Sequence, residues 1–139
     1  MTVANITIHN NIQELERIQE FVEKQGKEWD LTSKMVFSLN LVLEELITNV
    51  IFYGFDDDRV HEIDITMQLD EDILLLQIED DGKPFDPFKV DSPGDLNKSL
   101  EERQIGGLGI YFVRGIMDTY TYERTEGKNR ILLSKQVKK

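Results

Sequence analysis

Residues 32–54, TSKMVFSLNLVLEELITNVIFYG, constrain the fold more than any other stretch. Thr32 or Ser33 offers an N-cap, Gly54 a C-terminal stop, and between them apolar side chains take up most of a helix circumference. A helix of that kind cannot lie on a surface, so it is expected to be the most buried helix of the chain. Within it, LVLEELITNV (41–50) keeps Glu44, Glu45, Thr48 and Asn49 among leucine, isoleucine and valine. Two carboxylates and an amide one turn apart in so apolar a helix call for an explanation.

The remaining pattern supplies what this helix packs against. TVANITIHN alternates, with Val3, Ile6 and Ile8 as its apolar set, and reads as an edge strand; Asn10 or Asn11 then caps a helix. That helix carries Ile12, Leu15, Ile18, Phe21 and Val22 on one stripe. HEIDITMQLD and ILLLQIEDDG are β-type segments joined by the acidic turn DED, an antiparallel hairpin. KPFDPFKVDSPGDLNKSLEERQ holds all three prolines and has no long apolar period, so it reads as a long loop with at most one helical turn. IGGLGIYFVRGIMDTY opens a third helix, and TYTYERTEG with RILLSKQVKK closes the chain as a hairpin around Gly127 and Lys128. The order βααββαββ predicts an α+β two-layer sandwich, a mixed and mainly antiparallel sheet covered on one face by three helices, with residues 1–139 as one domain.

Charge narrows the function classes. A net charge of -11 argues against a sequence-independent grip on nucleic acid or an anionic membrane, which needs clustered Lys and Arg. An anionic ligand must instead be held locally, by backbone donors or a metal ion. Cysteine is absent, which excludes zinc-thiolate sites, disulfides and thiol catalysis. The start MTVANITIHNN has neither a basic leader nor an apolar run, and no segment is expected to span a bilayer; a cytoplasmic setting is the simplest expectation.

Three segments carry chemistry. Glu45 and Asn49 are spaced i,i+4 and share a helix face, with Glu44 and Thr48 on the adjacent stripe. Alone, this is as readily the solvated edge of a helix. Asp80, Asp81 and Gly82 end a strand, where Asp-Gly is also an ordinary turn signal. Gly106, Gly107 and Gly109 precede an apolar helix, where backbone N–H groups and the helix dipole favour an anion, although a lone Gly-x-Gly also suits a tight loop. The G-x-x-x-x-G-K-[ST] pattern of a P-loop is absent.

In this order EELITN, DDGKPFDP and IGGLGIYFVRGIMD resemble the N-box, G1 box and G2 box of the GHKL ATPase superfamily. From first strand to last, the chain is similar to that superfamily's single-domain branch of anti-sigma factor serine/threonine kinases. The only histidines, His9 and His61, lie outside any helix that would serve as a phospho-accepting dimerisation pair.

The resemblance implies roles for particular residues. Glu45 would be the general base, and Asn49 would hold Mg2+ bridging the phosphates of ATP. Asp80 would accept a hydrogen bond from the adenine amino group, with Gly82 leaving room for the ring. Gly107, Leu108 and Gly109 would wrap the phosphates, and residues 86–104 would form an ATP lid with Lys98 and Arg103 as γ-phosphate contacts. Two positions depart from the family pattern: Pro84 replaces the second glycine of D-x-G-x-G and removes an N–H donor, and Ile105 stands where many relatives have a glycine. The implied activity is transfer of the γ-phosphate to a small anti-anti-sigma antagonist, with a sigma factor as a second partner and a homodimer permitted. Three alternatives remain open: a nucleotide-dependent partner switch without catalysis, an interaction domain without nucleotide, and a stand-alone ATPase that hydrolyses ATP to water.

Overall fold

The structure, a computed structural model, describes residues 2–89 and 107–137, with the backbone alone for Gly107 and Leu108. Its elements are β1 (Thr2–His9), α1 (Leu15–Glu28), α2 (Ser33–Tyr53), β2 (Glu62–Asp70), β3 (Ile73–Asp80), α3 (Gly107–Ile116), β4 (Thr119–Thr125) and β5 (Lys128–Gln136). This is the expected βααββαββ order. The strands form one sheet in the order β1-β2-β3-β5-β4.

Every strand pair among the described residues is antiparallel, which corrects the expectation of a mixed sheet. The reason is where the chain lands after α3. β4 lies beyond β5 at the sheet edge, so the closing hairpin brings β5 back against β3 in the opposite sense. Both hairpins turn on residues with positive φ, Glu71 at 57° and the pair Glu126 and Gly127 at 55° and 79°. Two successive positive φ angles make a turn that suits the strand twist, and they set the last hairpin one residue earlier than the expected Gly127–Lys128 position.

The inner sheet face presents rows of aliphatic side chains: Ile65, Ile78 and Ile131 in one row, Met67, Leu76 and Leu133 in the next. α2 packs on them between α1 and α3, burying Leu39, Val42, Leu43, Leu46, Ile47 and Val50. Each such side chain contributes about 1.5–3 kcal/mol when fully buried, enough for this helix to carry a few unsatisfied polar atoms. By length and composition α2 could cross a bilayer, contrary to the sequence expectation. Here one stripe of that surface is packed against the sheet and the neighbouring helices, while Phe37, Leu41 and Phe52 are exposed.

Local signals explain the helix ends. Thr32 caps α2, its hydroxyl accepting from the Met35 N–H at 3.0 Å. Asn11 accepts from Gln13 N–H at 2.9 Å, but caps a short 3-10 turn (Ile12–Glu14) ahead of α1. That turn leaves Ile12 exposed, off the α1 stripe. Val3 is also exposed, because a strand alternates every two residues and Ala4, Ile6 and Ile8 share the other face.

Candidate functional site

The site begins with one row of the sheet. Ile8, Ile63, Asp80, Asn129 and Arg124 lie opposite one another across five strands, on the inner face. The row's first two members are core, so Asp80 and Asn129 are buried polar residues at the end of an apolar sheet, 4% and 3% exposed. The Asp80 Oδ1 accepts from Gly82 N–H at 2.8 Å and from Asn129 Nδ2 at 3.1 Å. Burial pushes the Asp80 carboxyl up, and those two hydrogen bonds oppose the shift.

Asn129 organises the turn that comes after β3. Its amide also donates to the Lys83 carbonyl at 2.8 Å, and its oxygen accepts from the Tyr122 hydroxyl and from Arg124 at 3.2 Å. Arg124 donates to the Gly82 carbonyl at 2.6 Å, and Tyr122 accepts from Phe85 N–H at 3.2 Å. Sequence reasoning missed all three residues. The readable signal was Asn129, an amide in phase with Ile131 and Leu133 on the buried face of a strand.

From the other side, the turn rests on the end of α2. A Cβ on Gly82 would stand 2.3 Å from the Gly54 carbonyl oxygen, and Lys83 N–H donates to that same oxygen at 2.8 Å. Gly54 stops α2 with a right-handed φ of -86°, so the helix ends in this close backbone approach and not in a left-handed cap.

On α2, Asn49 is buried and Glu45 half-buried. The Oε2 atom of Glu45 and the Oδ1 atom of Asn49 are buried without a hydrogen-bond partner among the described residues. Buried polar atoms are nearly always paired, so two orphaned oxygens one turn apart mark a place prepared for a donor or a cation. Glu44, by contrast, faces solvent. Burial, reinforced by the neighbouring Glu44 charge, pushes the Glu45 carboxyl above its ordinary value.

The structure brings Glu45 against the first turn of α3. A Cβ on Gly109 would fall 1.7 Å from the Glu45 Cδ, so the absence of a side chain there makes room for the carboxylate. Beside them lies a cavity of about 190 Å³ lined by Leu41, Val42, Glu45, Gly109, Phe112 and Ile116. A larger cleft of about 790 Å³, between α1 and α2, is lined by Glu44 but by none of the residues to which the resemblance gives a role. Gly107 and Leu108 form the start of α3. Lys98, Arg103 and all but the first residues of the predicted lid fall outside the described residues. Of that segment, a 3-10 turn (Pro87–Lys89) is seen, held by Arg114 donating to the Phe88 carbonyl.

The donor set fits a hard cation and a nucleotide. Among the described residues no group of three or more His, Asp or Glu side chains could hold a metal by itself. Asn49 would therefore hold Mg2+ through one neutral oxygen, and only together with a bound ligand.

The family model described as a histidine kinase-like ATPase domain matches residues 8–135. The serine/threonine-protein kinase BtrW of Bordetella bronchiseptica is 29% identical over 103 residues, 74% of this chain and 72% of that protein. The serine-protein kinase RsbW of Bacillus cereus (strain G9842) is 31% identical over 104 residues, 73% of this chain and 64% of its own length, so the match spans less than two thirds of that relative. Among solved structures, the RsbU and RsbW domains of Rv1364c from Mycobacterium tuberculosis match with a TM-score of 0.71 at 12% identity, over 99% of this chain and 33% of that one. At that identity the likeness is one of fold.

Proposed function

The chain belongs to the histidine kinase-like ATPase domain family, and from that premise we propose that it transfers the γ-phosphate of ATP to a serine or threonine of a small anti-anti-sigma antagonist protein. The observation that carries the proposal is the orphaned pair on α2, Glu45 Oε2 and Asn49 Oδ1. In this reading the adenine amino group donates to Asp80, Gly82 admits the ring, and the backbone of Gly107, Leu108 and Gly109 holds the phosphates. Asn49 would help hold Mg2+, which would supply charge neutralisation at the phosphates.

Glu45 then has the single chemical task of accepting the acceptor hydroxyl's proton as the oxygen attacks. A carboxylate whose affinity for a proton is raised by burial is better suited to this than an exposed one. The cavity beside it is lined by Leu41 and Phe112, both exposed. The same reading makes residues 1–139 one ATP-binding unit and assigns the lid to 86–104 and γ-phosphate contacts to Lys98 and Arg103, which lie outside the described residues. It also takes a sigma factor as a second partner, permits a homodimer, and takes the cytoplasm as the setting.

The test is transfer of labelled γ-phosphate to anti-anti-sigma proteins of the source organism, for the wild type and Glu45→Ala. The expected result is transfer by the wild type, with Glu45→Ala retaining nucleotide and losing transfer by about 10²–10⁴-fold. Undiminished transfer by that variant removes Glu45 from the role. Nucleotide-dependent partner binding without any phosphorylated product would make the chain a silent partner switch.

A further inference from the structure

His61 sits where two loops meet, and both of its ring nitrogens face carboxylates. Its Nε2 lies 2.7 Å from Asp57 Oδ1 and its Nδ1 lies 3.3 Å from Asp81 Oδ1. An ionised carboxylate only accepts hydrogen bonds, and a neutral imidazole has one N–H to give. Satisfying both partners together therefore requires the doubly protonated ring.

The ring is fixed in place by more than these two contacts. It stacks on Phe55 with centroids 4.3 Å apart, and its backbone N–H donates to Asn10 Oδ1 at 2.8 Å. Asp81 is the apex of the turn in which Gly82 N–H closes onto Asp80. The segment after α2 grips this turn at three places: Gly54 receives Lys83 N–H, Asp56 pairs with the Lys83 ammonium at 2.9 Å, and His61 holds Asp81. Of those grips, the histidine is the one that titrates near neutral pH.

We propose that His61 is a positioning residue for the nucleotide site, a clamp whose doubly donating ring holds the Asp80–Gly82 turn in its ligand-receiving shape and releases it as the ring loses a proton. The proposal rests on the reading of Asp80 and Gly82 as the adenine-binding turn. It assigns His61 no contact with the nucleotide.

The charges around the ring agree with it. Asp57 and Asp81 touch the ring directly, and Arg59 stands beside Asp57. The adjoining cleft of about 390 Å³ adds Glu62, Asp64, Glu79 and Asp80 against a single cation, Lys128. Carboxylates outnumber cations, and the Asp57 hydrogen bond foremost raises the His61 pKa above its ordinary value. The clamp is therefore complete below the ordinary histidine value and is lost as pH rises through the raised one. Once neutral, the ring can serve only one carboxylate. If the turn then keeps its competent shape about a third of the time, the apparent Kd rises about threefold.

The experiment is calorimetric measurement of the Mg-ADP Kd from pH 6 to pH 9 for wild type, His61→Gln, Asp81→Asn and His9→Gln, with imidazole NMR titration of His61. The expected result is a wild-type Kd that rises about threefold or more across the His61 midpoint, with that midpoint above the free-histidine value. Asp81→Asn should lower the midpoint and flatten the rise, His61→Gln should abolish it, and His9→Gln should keep it. A wild-type Kd that is independent of pH, or the same rise in His61→Gln, overturns the clamp alone. Absence of ADP binding by the wild type at every pH overturns the nucleotide reading together with it. Should His61→Gln fail to fold, Asp81→Asn decides the matter, because that exposed carboxylate carries no core packing.

Discussion

Replacing Asn129 by leucine keeps the branching of the side chain and the apolar phase of β5 while removing a five-bond hub. Lost are the bonds from its amide to Asp80 and to the Gly82 and Lys83 carbonyls, and those to its oxygen from Tyr122 and Arg124. Three of the five partners are rescued. Arg124 and the Gly82 carbonyl keep each other, and the carbonyl of exposed Lys83 can turn to water. Asp80 and the Tyr122 hydroxyl remain short of a partner in a buried place, at about 1–3 kcal/mol each, so Asn129→Leu is expected to cost about 2–4 kcal/mol. Urea denaturation should show a lower midpoint with an unchanged slope, the signature of a stability change in the same fold. The Mg-ADP affinity should fall as well, because loss of the Asn129 bond lets the Asp80 pKa climb further and a protonated carboxyl is a poorer acceptor for an amino group. A midpoint within about 0.5 kcal/mol of the wild type, with unchanged nucleotide affinity, would refute the reasoning.

Gly82→Ala places its Cβ against the Gly54 carbonyl oxygen and carbon, both backbone atoms that cannot step aside, and should lower stability by about 1–3 kcal/mol in thermal unfolding. Glu45→Gln should raise stability at neutral pH, since it removes a desolvated charge. Because the folded-state pKa of Glu45 is raised, that gain should shrink as pH falls through it and vanish below the ordinary glutamate value, which paired denaturation curves against pH will show. Leu46→Ala, at a fully buried position of α2, should cost about 2–5 kcal/mol.

The elements were legible because each rests on local pattern. Alternation gave the strands, Thr32 and Gly54 bounded α2, and Asp-Glu-Asp marked the first hairpin. Strand order was not legible, because pairing β5 with β3 depends on where the crossover after α3 lands, which no local period records. Within the site, Glu45, Asn49, Asp80 and Gly82 stood out as polar or glycine residues inside apolar segments. Asn129, Tyr122, Arg124 and His61 did not, since each acquires its role through register or loop packing. Gly54 was visible as a helix stop, but its contact with Gly82 needed two distant backbones brought together. The closeness of Glu45 to Gly109 joins two helices far apart in the chain, and i,i+4 spacing on one of them could not show it.

The most direct measurement is the thermal stabilisation of the purified protein by Mg-ADP, run beside Asp80→Asn. A ligand at a hundredfold excess over its Kd adds about 2.7 kcal/mol to the folded state. A rise in the wild-type unfolding temperature that is lost in Asp80→Asn is the predicted result. No shift at saturating Mg-ADP, or an equal shift in the variant, would contradict the assignment of the Asp80 turn as the nucleotide site.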